Sequence, residues 1–511
     1  MLRGAEPRRP NILLILADDM GFSDAGCFGG EIDTPNLDGL ARRGIRFSQA
    51  YSTARCMPSR GCLLSGFYSQ QSGLEQRGNA KAAPWVRFLP QYLKPQGYRT
   101  YHSGKWHIGG AMPLRDTGFD RSYYLGDQDR FFSPTRHFLD DRQLEPVKPG
   151  DGYYATTAIA DRAVEWLQSH QRDHSSKPFF LYTAFTAPHF PLHGLAPDIE
   201  RFQDRYRQGW DVVREQRWQR ARKMGIVNCR PAPLEPGVWP PWNTSDADLA
   251  RRIGAGEVMR AVPWKSLTPE QKQFQSTKMA IHAAMVYRMD AEIGRLLGQL
   301  RAMNAMRDTV IVFLSDNGAS AEMLIRADGH DAAAAPGSAR SHLCLGPGWS
   351  SAANSPFRLH KSWNHEGGIS SPMIVHWPAG ISGGGGLRRT PCHFIDILPT
   401  FVDLAGGGKA ESKPGSPPLP GRSLVPALAR DNTIPRENLF FHHLDNRALR
   451  VGDWKVVSAG PKGPWELYDL KTDRGETTNL AEKHPDRLAE MTRQWEKLET
   501  EFVAQSKQPG A

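Results

Sequence analysis

The chain has no long apolar run. Its longest, residues 12–17 and 310–314, fall far short of the about 20 residues a membrane-crossing helix needs, so no membrane span is expected. Cysteine is scarce. The six, at positions 27, 56, 62, 229, 344 and 392, form no Cys-x-x-Cys pair and no regular framework, which argues against structural zinc and against a disulfide scaffold. The opening Met-Leu-Arg-Gly-Ala-Glu-Pro-Arg-Arg-Pro lacks the apolar stretch of a secretory leader, so the sequence as written reads as cytoplasmic, and as periplasmic or secreted if a leader has been removed. No fixed-period repeat occurs. Acidic residues number 54 against 64 basic ones, and the resulting net charge of +10 favours anionic partners without choosing among nucleic acid, acidic membrane and a small sulfated or phosphorylated molecule.

What is present is ordinary globular material. At 511 residues, 39% hydrophobic and 23% charged, the chain can bury a sizeable core, and 49 Gly with 39 Pro point to many loops. Short β-branched or leucine-rich runs at 12–16, 179–185, 310–314 and 373–376 alternate with helical stretches. That pattern predicts an α/β fold, a large mostly parallel sheet flanked by helices. Met285, Val286, Met289, Ile293, Leu296, Leu297 and Leu300 share one face at helical spacing and read as a core stripe. The breaker-rich stretch 406–421 is the expected boundary between a catalytic domain, 1–408, and a small subdomain, 409–511. Beyond it, runs at 439–442, 448–451, 455–458 and 466–470, then a polar helix from about Pro485, predict an antiparallel sheet with one helix. A basic helix carrying Arg214, Arg217, Arg220 and Arg222 is expected to show a solvated face, with polyanion binding as the minority reading.

Two strand ends share a pattern. Ile-Leu-Leu-Ile-Leu-Ala runs into Asp18 and Asp19, and Val-Ile-Val-Phe-Leu-Ser runs into Asp316 and Asn317. Strand C-termini of a parallel sheet lie along one edge, where these side chains can meet. Three carboxylates and one amide suit a hard cation, Ca²⁺ ahead of Mg²⁺, although either motif alone could be a polar turn or a helix cap. Thr-Tyr-His-Ser-Gly-Lys-Trp-His places Lys105 and His107 two apart, on one side of an extended chain. A fourth run leads to His189, bracketed by Pro188 and Pro191.

The most specific stretch is Cys56-Met-Pro-Ser-Arg60-Gly-Cys-Leu-Leu64-Ser65-Gly66. With this motif the chain resembles the formylglycine-dependent, arylsulfatase-like sulfatases of the alkaline phosphatase-like superfamily, matching Cys-x-Pro-Ser-Arg-x-x-x-Leu-[Ser/Thr]-Gly throughout. The likeness extends from Asn-Ile-Leu-Leu-Ile-Leu-Ala-Asp-Asp-Met-Gly to Trp-Glu-Leu-Tyr-Asp-Leu near the end, with Met57 and Cys62 as small departures. It implies that Cys56 is oxidised to formylglycine by a maturation enzyme. It also implies that Asp18, Asp19, Asp316, Asn317 and the modified Cys56 bind the metal, and that Arg60, Lys105, His107, His189 and Lys361 are the catalytic and sulfate-binding residues. The expected activity is hydrolysis of an aryl or carbohydrate sulfate. Competing expectations are a phosphonate monoester or phosphodiester hydrolase with the same nucleophile, and a non-catalytic binder of sulfated glycans. No nucleic-acid partner is expected.

Overall fold

Alternation along the central strands decides the architecture. In the strand Asn11–Ala17, Leu13, Ile15 and Ala17 enter one hydrophobic core and Ile12, Leu14 and Leu16 enter another, all of them fully buried. A strand apolar on both faces must be covered on both, which is the condition of a parallel sheet between helical layers. The computed structural model describes residues 9–75, 80–326, 329–410, 412 and 415–509. Residues 1–8 of the opening stretch and residues 411, 413 and 414 of the 406–421 connector lie outside the described residues.

The main sheet has eleven strands: β1 (Asn11–Ala17), β2 (Ile45–Tyr51), β3 (Arg99–Lys105), β4 (Arg121–Leu125), β5 (His137–Leu139), β6 (Arg142–Gln143), β7 (Phe179–Ala184), β8 (Thr309–Ser315), β9 (Ser370–His376), β10 (Gly386–Arg388) and β11 (Cys392–His393). Their order is β10-β2-β9-β8-β1-β7-β3-β4-β5-β6, with β11 also paired to β2. The block β8-β1-β7-β3-β4 is parallel throughout. The run at 373–376, read as one more member of the parallel series, belongs to β9, which pairs antiparallel with both β8 and β2. A buried apolar run carries no sign of its direction, so sequence alone could not distinguish the two.

Helices Ala155–His174 and Pro269–Ala302 cover one face of the sheet. The second starts at Thr268, whose side chain accepts from the Gln271 N–H at 3.2 Å while Gln271 accepts from the Thr268 N–H at 3.0 Å, and Pro269 occupies the first turn. Its predicted stripe from Met285 to Leu300 is buried at every position. The other face carries the helices Cys56–Ser65 and Ile397–Leu404.

The same core continues into a four-stranded antiparallel sheet, β12 (Leu439–His443), β13 (Asn446–Val451), β14 (Trp454–Ser458) and β15 (Glu466–Asp469), and into the helix Pro485–Ser506. A buried ionic cluster joins the two sheets. Glu366 pairs with Lys455 at 3.1 Å and with Arg474 at 2.9 Å, and Lys455 also reaches Glu476 at 2.8 Å. Burial pushes the Glu366 carboxyl up, but Lys455, Arg474 and Arg450 outweigh it and hold it at about 2.

The basic helix, Gly209–Lys223, corrects the expectation of a solvated arginine face. Arg217 is fully buried, 2.7 Å from both Asp24 and Glu31, and Arg220 donates to the Gly29 carbonyl. Arg214 donates to the Ala232 carbonyl, and of the four only Arg222 is exposed. Arg217 and Arg220 fasten the helix to the segment after β1, because a guanidinium satisfies carboxylates and carbonyls from one rigid plane.

Candidate active site

Parallel pairing brings the chemistry together. Ala17 of β1 lies opposite Ser315 of β8, so the next residues, Asp18 and Asp19, adjoin Asp316 and Asn317 at the C-terminal edge of the sheet. Leu16 and Gly104 both pair with Ala184, which adds the ends of β3 and β7 to the same edge. The helix Cys56–Ser65 begins at this edge with Cys56 as its first residue and ends at Gly66, whose positive φ of 76° closes it. The sulfur of Cys56 and oxygens of Asp18 and Asp316 lie within 4.8 Å of one another.

Cations surround these acids. Lys105 Nζ donates to Asp18 Oδ2 at 2.5 Å, and Lys361 Nζ donates to Asp19 Oδ2 at 2.8 Å. Arg60 holds Asp316 Oδ2 from Nε at 2.9 Å and from Nη2 at 2.8 Å, while its Nη1 donates to the Lys105 carbonyl at 3.0 Å. All of these side chains are buried. Arg60 therefore orients both an acid and the end of β3, a positioning task that the motif did not disclose.

The donor set fits a hard cation. Asn317 Nδ2 donates to Asp19 Oδ1 at 2.7 Å, leaving its own Oδ1 buried without a partner, and Asp18 Oδ1 is in the same condition. Buried oxygens with no hydrogen bond are costly in a protein interior. Burial also pushes the carboxyls of Asp18, Asp19 and Asp316 above the usual range. The acids repel one another and the neighbouring cations only partly relieve them. A divalent ion among them would satisfy the free oxygens and remove the repulsion. His189 also approaches this group, with Nε2 3.7 Å from Asp19 Oδ2.

Both predicted histidines reach the site. Burial first, then Lys361 and Lys105, depresses His189 well below the ordinary imidazole value, and its Nδ1 is engaged with the Phe190 carbonyl at 2.5 Å. Burial, then Lys105 and Arg60, depresses His107 in the same way, and its Nδ1 has no partner. The expected geometry for His107 was wrong in detail. β3 stops at Lys105 and His107 has a positive φ of 52°, so alternation along a strand does not place it. Asp19, Ala54 and Ser362 are also left-handed, at 62°, 60° and 82°, a clustering of strain typical of functional loops. Gly318 is required for packing, since a Cβ there would lie 1.8 Å from the Gly367 carbonyl oxygen.

Sequence reasoning missed a second set. Glu322, fully buried, pairs with Arg55 at 2.9 Å and with Lys361 at 3.3 Å, and accepts from the indole of Trp242 at 2.7 Å. Arg55 could have been noticed as the neighbour of Cys56, and Glu322 as an acid shortly after Asp316-Asn317. Trp242 carried no signal. The small sheet also contributes: Asn446 Nδ2 donates to the Ser362 carbonyl at 2.8 Å, and Asn364 Nδ2 donates to the Asn446 carbonyl at 2.7 Å, fixing the loop that holds Lys361.

The chain is similar to known proteins over most of its length. The sulfatase family model matches residues 10–407, and the model for the C-terminal part of N-sulphoglucosamine sulphohydrolase matches residues 358–503. The chain is 32% identical to an uncharacterised sulfatase of Schizosaccharomyces pombe, over 97% of this chain and 94% of that one. It is also 32% identical to an arylsulfatase of Klebsiella aerogenes, over 81% and 91%. An N-acetylglucosamine-6-O-sulfatase of Bacteroides thetaiotaomicron is 26% identical, over 93% and 83%. Among solved structures, Ps i-CgsB in complex with k-i-k-neocarrahexaose superposes with a TM-score of 0.69 at 24% identity, covering 99% of this chain and 95% of that one.

Proposed function

The chain belongs to the sulfatase family and is a sulfatase, and from that premise we propose that it hydrolyses sulfate monoesters with a formylglycine made from Cys56 beside a bound calcium ion. The observation that carries this reading is the position of Cys56, at a helix start within 4.8 Å of Asp18 and Asp316 oxygens, with Arg60 and Lys105 on those acids and Lys361 on the adjacent Asp19. Asp18, Asp19, Asp316, Asn317 and residue 56 would hold the ion. When bound, it lowers the pKa of a hydroxyl on residue 56 and offsets charge on the sulfuryl oxygens.

The residues divide the remaining work. Hydrated formylglycine has two hydroxyls on one carbon. One hydroxyl gives up its proton to solvent and its oxygen attacks sulfur, while the bond from sulfur to the ester oxygen breaks with its electron pair on the leaving group. Lys105 and Lys361 balance the negative charge that spreads over the sulfuryl oxygens, and the N-terminus of the helix Cys56–Ser65 adds its partial positive charge. His189 gives the leaving oxygen its proton. It is neutral in the free protein, and an arriving sulfate anion raises its affinity for that proton. The product on residue 56 is a sulfated hemiacetal. His107, neutral with a free Nδ1, removes the proton of the second hydroxyl; the aldehyde C=O reforms and sulfate departs. A serine could not be released this way, because its sulfate ester would need a second attack at sulfur.

Cys56 is 2% exposed, so the maturation enzyme that oxidises it must act before this helix packs. The relatives' names span aryl and amino-sugar sulfates, and the substrate of this chain is sought in the same range. The test is turnover of purified, calcium-loaded protein on 4-nitrophenyl sulfate, N-acetylglucosamine 6-sulfate, and the matching aryl phosphate diester and phosphonate. Sulfate release faster than either phosphorus ester, abolished by chelation, supports the reading. Preferred cleavage of the phosphonate or diester would replace it.

A further inference from the structure

Joined to Lys361 through Glu322 stands an aromatic ring that the mechanism does not use. Trp242 is 37% exposed, an unusual state for so large an apolar side chain. It is nonetheless held firmly. Its indole N–H donates to Glu322 Oε1 at 2.7 Å, and the Arg55 guanidinium lies 5.6 Å from its ring centre. The backbone behind it is bonded to the segment that carries Glu322: Thr244 N–H donates to the Met323 carbonyl at 2.9 Å, and Met323 N–H donates to Asn243 Oδ1 at 2.9 Å. The same Glu322 pairs through Oε2 with Lys361 at 3.3 Å, and Arg55 immediately precedes Cys56. One buried carboxylate therefore separates the indole from the ammonium that faces Asp19.

We propose that Trp242 is the platform on which the ring of the leaving group stacks, and that Glu322 is a positioning residue that fixes this platform and Lys361 relative to each other. The inference rests on the sulfatase reading and adds the leaving-group side to it. Two cations and an indole converge on Glu322, and Arg55 and Lys361 already balance its charge. The indole bond adds orientation, and an oriented, partly exposed ring beside a sulfate pocket offers a flat apolar surface. Its ligand is a six-membered ring with an apolar face, either an aryl ring or the C–H face of a pyranose. A rigid aromatic gives such contact at low entropic cost, because the bonds behind it already prevent it from swinging.

The test uses calcium-loaded protein with Cys56→Ala, which binds without turnover, titrated calorimetrically with 4-nitrophenyl sulfate, N-acetylglucosamine 6-sulfate and inorganic sulfate. Adding Trp242→Ala is expected to weaken at least one ring ester about tenfold while leaving inorganic sulfate unchanged, and Trp242→Phe is expected to restore most of the loss. The ester that loses more identifies the ring as aryl or saccharide. Adding Glu322→Gln is expected to weaken all three ligands, inorganic sulfate included, because Lys361 loses its fixed partner. Equal weakening of inorganic sulfate by Trp242→Ala would make the indole merely structural, and unchanged ester binding would remove the platform; either result overturns the proposal. A calcium-loaded Cys56→Ala protein that binds neither inorganic sulfate nor any ester would instead defeat the assignment of the sulfate site to this sheet edge, and the proposal with it.

Discussion

Removing the Arg60 side chain tests whether the acids at the sheet edge are held by charge. Asp316 Oδ2 takes two close contacts from Arg60, and both side chains are fully buried. Arg60→Ala would leave a carboxylate with its main partner gone, a loss of roughly 3–5 kcal/mol for a buried pair broken on one side. Protonating a carboxyl of ordinary pKa 3.8 at neutral pH costs about 4 kcal/mol, which caps the penalty because Asp316 can take up a proton instead. Asp316→Asn removes the charge and keeps the shape. The double variant should therefore be more stable than Arg60→Ala alone by about 2 kcal/mol or more, a coupling expected of neighbours in one network. The assay is the midpoint of urea unfolding at pH 7 after chelation, compared across wild type, both single variants and the double variant. A double variant no more stable than Arg60→Ala would refute the charge argument. Restoring calcium should shrink the Arg60→Ala loss, since the ion supplies positive charge to the same oxygens.

Two further outcomes follow from the titrating groups. Glu366 is held at about 2 against an ordinary 4.5, so its contribution is fully present above pH 4.5 and is lost as the pH falls towards 2; Glu366→Gln should remove ~3 kcal/mol of acid-dependent stability in that window, read from unfolding midpoints at stepped pH. For the histidines, His189→Ala should slow esters with poor leaving groups most and an activated aryl sulfate least, while His107→Ala should give a first burst and then a stable sulfate adduct on residue 56, visible in the intact mass. An adduct trapped by His189→Ala, with none from His107→Ala, would reverse the two roles.

The central strands were legible because a parallel sheet buries both faces, leaving short uninterrupted apolar runs such as 12–16 and 310–314. The acids at their ends were legible for the same reason: parallel pairing turns two distant strand ends into neighbours. Direction was not legible, so β9 was grouped with the parallel strands. His107 was placed by a strand alternation that ends two residues earlier, at Lys105, although it reaches the same pocket. The arginines of the helix Gly209–Lys223 looked solvated because their acidic partners, Asp24 and Glu31, lie nearly 200 residues away. Trp242 escaped notice because it belongs to no pattern, and the one hint of Glu322 was its nearness to Asp316-Asn317; only folding brings both to Lys361.

The most direct measurement is peptide mass spectrometry of residue 56 in purified protein whose sulfate release has been quantified on the same sample. Formylglycine is expected in place of cysteine, in a fraction that tracks specific activity across preparations, with no activity from Cys56→Ala. Full sulfate release from protein in which residue 56 is entirely unmodified cysteine would contradict that expectation.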